Sequence, residues 1–321
     1  MATFFSSLHF KTIINMSNIL LATEKPFAKD AIEQIKKVIS DAGHNMMLLE
    51  NYTDKSELLN AIKAADALIV RSDIVDAEII NAGDALKIVV RAGAGYDNLD
   101  LSAASQKNIV CMNTPGQNAN AVAECAFGMM LYMARKQFSG SSGTELRGKK
   151  LGIIGYGNIG RYMAQIGRGF GMEVFAYKRN MDRLALQIDG VTPASSFEDI
   201  FEHCEYVSLH IPSTAETKGV INYHLLKLLP KNAMLVNTAR VDVVNEDDLL
   251  QLMGERNDIA YVSDFVPKME TAFKEQFGKR IFYPTKKMGA QTEEANVNAG
   301  IAAAKQIIDF LDKGIDTFKV N

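Results

Sequence analysis

Apolar residues fall in short runs, separated by stretches in which they recur every three to four positions. NILLAT at 18–23 is the first such run, and 45–50, 66–71 and 87–91 repeat the type. Between them the helical spacing predicts helices over 28–41, 54–63 and 76–82, and Gly43 stands where a left-handed cap ends the first. Strands alternating with helices mean a parallel sheet with helical crossovers, here one α/β unit of about 100 residues.

The pattern then changes. Residues 119–136 are apolar round most of a helical surface, which predicts a buried helix. A loop rich in Gly and Ser, 137–149, leads into a second α/β series with strands at 150–155, 173–177, 206–210, 233–237 and 259–263. A last helix, 293–312, opens on two glutamates, which suit the positive end of a helix, and runs apolar at Val297, Ile301, Ile307, Ile308 and Leu311. The 321 residues have room for two domains.

Composition removes some functions. A net charge of −3 argues against a nucleic-acid surface, and no apolar run approaches the length that crosses a membrane. Cys111, Cys125 and Cys204 are an odd set without metal-like spacing, so they read as reduced thiols of a cytoplasmic protein with no metal. Residues 1–16 contain no acid and no small-residue cleavage site; the reading is a disordered extension that ends at a second methionine, Met16.

Chemistry begins at LGIIGYGNIG, 151–160, where an apolar strand meets G-x-G-x-x-G at the start of a helix. Gly155 makes the tight turn, Gly157 lets the backbone approach a pyrophosphate, and Gly160 packs helix against strand. The helix N-terminus, at Asn158 and Ile159, offers N–H groups and a positive dipole to the phosphates. NAD enzymes carry an acid at the end of the next strand, for the ribose hydroxyls. Here EVFAYKRN, 173–180, has Lys178 and Arg179 instead. Two cations suit a 2′-phosphate, and solvated surface charges with Asp182 contributing are the other reading, so NAD and NADP both stay open.

Further stretches are RAGAGYDNLDL (91–101), MNTPGQNANAVAE (112–124), SLHIP (208–212), LVNTARVDVVNEDDLL (235–250) and MGAQTEEA (288–295). With GTELRGKKLGIIGYGNIG (143–160), in this order, they resemble the D-2-hydroxyacid dehydrogenase family over about 18–321. The resemblance implies two Rossmann- or flavodoxin-like doubly wound parallel-sheet domains. A nucleotide domain, 118–295, is inserted into a substrate domain formed by 17–117 and 296–321, with helices 119–136 and 293–312 at the hinge. It also implies a homodimer formed through the nucleotide domain. Cofactor contacts would come from His210, Pro212, Thr238, Ala239 and Asp264.

The family reaction moves a hydride between C2 of a 2-hydroxyacid and the nicotinamide. It needs a cation on the substrate carboxylate and a group that exchanges a proton with the C2 oxygen. Arg240 in NTAR matches the family arginine, and backbone N–H groups at Ala94 and Gly95 would hold the same carboxylate. The family pattern has histidine before an apolar residue and Gly; YPTKKMGAQT, 283–292, places Lys287 there, with Lys286 beside it as the reserve candidate. No histidine follows His224, and Glu270 in DFVPKME is out of register for the supporting glutamate. An ammonium needs no carboxylate to orient it, so the two losses go together. Burial and the like charges of Lys286 and Arg240 are expected to tune the lysine.

Arg71 and Ser72 in LIVRSDIVDAEII, 68–80, match the pair that meets phosphate in the phosphoglycerate branch of the family, and Arg91 could reach the same anion. The competing reading has Arg71 paired with Asp66 or Asp76. The resemblance thus implies 3-phospho-D-glycerate as the small-molecule partner. Glyoxylate or hydroxypyruvate, and a nucleotide-sensing binding protein on the same fold, are the alternatives. The chain ends soon after its last helix, so no regulatory domain and no feedback through one are expected.

Overall fold

Continuous burial decides the strands. All four residues of Ala67–Val70 are fully buried, as are Ile19, Leu21 and Ala22 of the first strand, which is possible only when helices cover both faces of a parallel sheet. The computed structural model describes residues 16–27, 29–180 and 183–321. The extension read at the N-terminus, up to residue 15, and Asp182 lie outside them. The chain divides into two units, one of residues up to Gln117 with Asn296–Asn321 and the other of Asn118–Ala295.

In the first unit five strands, β1 (Asn18–Thr23), β2 (Asn45–Glu50), β3 (Ala67–Val70), β4 (Ile88–Arg91) and β5 (Val110–Asn113), lie in the order β2-β1-β3-β4-β5. Every pairing is parallel. The predicted helices form at Lys29–Asp41, Lys55–Ala61 and Ala77–Ala82. Gly43 adopts φ 80° after the first, and Asp54 and Asp76 cap the other two by accepting from Ser56 N and Ile79 N. One face of the sheet packs Leu20, Leu68 and Val89 against Leu58, Ile62 and Ile79. The other packs Ile19, Ile69 and Val90 against Ile35 and Ile39, and against Ala299, Ala303 and Ile307 of the last helix, Glu293–Lys313. At the outer strand, Cys111 N donates to Asn321 Oδ1 at 2.8 Å and Val320 N to Cys111 O at 2.9 Å.

The second unit holds β6 (Lys150–Ile154), β7 (Glu173–Tyr177), β8 (Thr192–Pro193), β9 (Tyr206–Leu209), β10 (Met234–Asn237), β11 (Ala260–Ser263) and β12 (Ile281–Phe282). Their order is β12-β11-β10-β9-β6-β7-β8, again all parallel. Both sheets are doubly wound. The direction of winding reverses between β1 and β3 in the first and between β6 and β9 in the second. Ligands of such sheets bind outside the carboxyl ends of the strands at these reversals. Arg71 directly follows β3, and Gly155 directly follows β6.

Candidate active site

The three glycines of the nucleotide motif are needed for three different reasons. Gly155 has φ +100°, and a Cβ there would lie 2.5 Å from the carbonyl oxygen of His210. A Cβ on Gly160 would lie 2.4 Å from the Gly155 oxygen, so this glycine fixes how closely the helix Asn158–Gly169 meets the turn. Gly157, the residue before that helix, has no atom within 4 Å of an added Cβ, and no side chain caps the helix there. Open space before uncapped N–H groups fits a pyrophosphate. Gly157→Val is therefore expected to melt close to the parent and to weaken NADH about 10-fold or more, read by NADH fluorescence in a chain without tryptophan. Gly160→Val should instead lower the melting temperature.

Beside this turn, His210 follows β9. Its Nε2 lies 2.8 Å from Ser208 Oγ and its Nδ1 3.2 Å from Thr238 Oγ1. Desolvation pushes its pKa down to about 3, which favours the neutral ring. Thr238 and Ala239, both buried, follow β10. The turn that leads to Arg240 is tied by Asn237, a fully buried side chain that the sequence reading passed over. Asn237 Nδ2 donates to Arg240 O at 2.9 Å, and Asn237 Oδ1 accepts from Ala239 N at 3.0 Å. Arg240 Nη1 donates to Ala239 O at 2.8 Å, which orients the guanidinium. Only burial of a polar residue at a strand end, invisible in one sequence, would have flagged Asn237.

One strand further, Asp264 follows β11 and is 1% exposed. Its Oδ1 accepts from Met288 N and Gly289 N, both at 2.8 Å. Its Oδ2 is buried and has no partner among the described residues. Burial raises the carboxyl's pKa, against the two amide hydrogen bonds and the nearby charge of Lys287. A Cβ on Gly289 would sit 2.6 Å from Oδ2, so only glycine fits against the buried carboxylate. Asp264 thereby fixes the loop that carries Lys287, whose Nζ rests 4.8 Å from the centre of the Phe265 ring. Lys287 and Lys286 are exposed. The expected burial of Lys287 is thus corrected: the loop leaves this residue exposed, with its Nζ over an aromatic face. Glu270 is engaged elsewhere, with Lys274 at 2.6 Å and Tyr283 at 3.4 Å.

Lys178 and Arg179 follow β7 and are exposed. Arg179 Nη2 lies 2.6 Å from Glu216 Oε2, so a carboxylate does reach this corner, from the loop after β9. Pro212 lies in the same loop and accepts from Thr217 Oγ1 at 2.6 Å. Such an exposed pair contributes at most about 1 kcal/mol. Glu216→Gln is accordingly expected to improve NADPH binding about 3-fold, with NADH changed less, in a direct titration.

In the first unit Arg71 is half-buried. Its Nη2 donates to Asn296 Oδ1 at 2.5 Å and its guanidinium lies 4.9 Å from the Phe27 ring centre. The proposed pairing with Asp66 or Asp76 is not found, because Asp66 binds Lys87 at 3.0 Å and Asp76 binds Lys55 at 2.7 Å. Ser72 is exposed next to it. Asp73, 3% exposed, accepts from Glu24 N at 2.7 Å, Tyr52 OH at 2.8 Å and Arg71 N at 3.2 Å. Arg91 Nε donates to Arg71 O at 2.8 Å. The loop with Ala94 and Gly95 is held by Asn113 Nδ2, which donates to Ala94 O at 2.6 Å.

The thiols play no part in this chemistry. Desolvation pushes Cys111 and Cys204 up to about 12 and Cys125 up to about 11. Among the described residues no group of three or more His, Cys, Asp and Glu could hold a metal ion, and no helix is long and apolar enough to cross a membrane.

Residues 116–280 match the family described as "D-isomer specific 2-hydroxyacid dehydrogenase, NAD binding domain". The chain is 32% identical over 302 residues to a D-3-phosphoglycerate dehydrogenase of Methanocaldococcus jannaschii, covering 90% of this chain and 56% of that one. It spans about half the length of the curated phosphoglycerate dehydrogenases it matches. A hydroxypyruvate reductase of Thermotoga maritima is 34% identical over 281 residues, covering 82% of this chain and 90% of that one. Among solved structures, an NAD+-bound 3-phosphoglycerate dehydrogenase of Entamoeba histolytica superposes with a TM-score of 0.86 at 44% identity, covering 96% of this chain and 99% of the other.

Proposed function

The chain belongs to the D-isomer specific 2-hydroxyacid dehydrogenase family, and on that premise we propose that it exchanges a hydride between NAD and a D-2-hydroxyacid, with 3-phospho-D-glycerate as the preferred substrate. Gly155, Gly157 and Gly160, the first turn at Asn158 and Ile159, and His210, Pro212, Thr238 and Ala239 would hold the dinucleotide. Asp264, which holds the loop after β12 from beneath, would stand on the cofactor side of the site. NAD supplies the hydride acceptor when bound. Every other step belongs to the chain's own groups. Arg240 takes the substrate carboxylate in its fork and polarises the C2 oxygen. The backbone at Ala94 and Gly95 binds the same carboxylate. Lys287, as ammonium, gives its proton to that oxygen during reduction; as amine, it takes the proton back during oxidation. Arg71 and Ser72 receive the phosphate.

The observation that carries this reading is the clasp of Asp264 on Met288 and Gly289. It fixes the backbone next to Lys287 at the same sheet edge as the glycine turn and Arg240. In this reading 118–295 is the NAD-binding domain, and 17–117 with 296–321 binds substrate. The enzyme works in the cytoplasm as a homodimer formed through the nucleotide domain, without nucleic-acid or membrane partners, and its product enters serine biosynthesis.

The test is NADH oxidation with 3-phosphohydroxypyruvate, hydroxypyruvate and glyoxylate. A charge-assisted phosphate contact should raise kcat/KM for the phosphorylated acid about 10- to 100-fold over hydroxypyruvate. The match to a hydroxypyruvate reductase along nearly all of its length favours a second reading, which equal rates with and without phosphate would select. No turnover of any ketoacid, with NADH bound, would leave only a sensing role.

A further inference from the structure

We propose that Asn296 is the residue that sets preference for a phosphorylated substrate, by holding the Arg71 guanidinium in place without cancelling its charge. The inference rests on the phosphate role given to Arg71 above and adds a residue to it. Arg71 stands at the carboxyl end of β3, where the first sheet reverses its winding, which is the place for a ligand. Its backbone is locked on both sides: the N–H goes to Asp73 Oδ2 at 3.2 Å, and the carbonyl accepts from Arg91 Nε at 2.8 Å. One face of its guanidinium is covered by Phe27, itself 5% exposed and fixed by a hydrogen bond from its N–H to Glu50 Oε1 at 3.1 Å.

Within that frame the guanidinium gives one N–H to Asn296 Oδ1, at 2.5 Å. Among the described residues no other acceptor for its five N–H groups is found. A half-buried cation with most of its fork unspent is poor structural economy, since partly desolvated donors are costly unless met. It is a suitable cradle for a dianion. The chemistry of the partner matters as much as its position. A carboxylate at 296 would orient the guanidinium equally well but reduce the pair's net charge from +1 to zero. An amide orients without adding a second carboxylate to that of Asp73, which already acts on the guanidinium. Asn296 sits in the first turn of the helix Glu293–Lys313, so its backbone is fixed before any ligand arrives.

The experiment compares the full-length chain with Asn296→Ala and Asn296→Asp, assayed with NADH against 3-phosphohydroxypyruvate and hydroxypyruvate, with a thermal melt of each. For the phosphorylated acid, Asn296→Ala should raise KM about 3- to 10-fold as the guanidinium loses its anchor. Asn296→Asp should raise it about 100-fold, while melting no lower than the alanine variant. For hydroxypyruvate, KM and kcat of both variants should stay within about 2-fold of the parent, a split that a merely structural role would not produce. Retention of the parental preference in Asn296→Asp overturns the proposal, as does an equal loss on both substrates. Should the aspartate variant fail to fold, the alanine variant decides by the same split. A parent that shows no preference for the phosphorylated acid overturns the reading of Arg71 itself, and is distinguished by needing no variant.

Discussion

Lys287→Met is expected to reduce kcat for ketoacid reduction by about 10²- to 10⁴-fold, the range lost with a general acid, while NADH binds as before. Methionine keeps the length and apolar stem of lysine, so it can still lie on Phe265. What it removes is the proton. The ammonium form is the acid that reduction needs, and oxidation needs the free amine. Turnover of the hydroxyacid should therefore climb with pH in the parent, and this dependence should vanish in Lys287→Met. Lys286→Met should remain within about 3-fold of the parent. If it falls instead and Lys287→Met does not, the neighbouring amine is the proton carrier. Full activity in both single variants would remove the amine mechanism.

Arg240→Gln should cost about 10³-fold in kcat/KM, the loss typical of removing an oxyanion donor together with the cation on the carboxylate. Arg240→Lys keeps the charge but lacks the planar fork, and should lie between, about 10²-fold down. The loss should appear in KM and kcat together, because the same group binds the acid and stabilises the charge that grows on the C2 oxygen. The melting temperature should fall only slightly, since Asn237 still ties the turn through the backbone of Ala239 and Arg240 when the bond from the guanidinium to Ala239 O is lost. A variant that retains parental kcat/KM would take Arg240 out of the site.

What could be read without coordinates follows a physical division. The long buried strands and the glycine turn were legible because their requirements are local: Gly155 must be glycine for its φ of +100°, and a continuous apolar run implies cover on both faces. The strand Val110–Asn113 and the helix Leu101–Gln106 were passed over: LSAASQ carries a single large apolar residue, and VCMN is broken by a polar Asn113. The strands Thr192–Pro193 and Ile281–Phe282 hold two residues each and owe their pairing wholly to β7 and β11. The tertiary partners were not legible at all. Asn296 meets Arg71 across 225 positions, and Asp73 looks like a surface acid in DIVD until Tyr52 and the Glu24 amide close over it. The exposure of Lys287 was misjudged for the same reason, since the sequence carries the residue's identity and not the path of the loop.

The first unit is discontinuous in the chain, and that matters during synthesis. Its sheet is complete once Asn113 has emerged, yet the face formed by Ile19, Ile69 and Val90 is finished only by Ala299, Ala303 and Ile307. At usual ribosomal speeds the gap is roughly 10 to 40 seconds. Throughout that interval the part of this apolar face not covered by Ile35 and Ile39 waits exposed, while the intervening segment, contiguous from Asn118 to Ala295, is made. The nascent polypeptide should thus depend on chaperones at its front end, and residues 299–307 act as the delayed closing piece whose arrival ends that exposure.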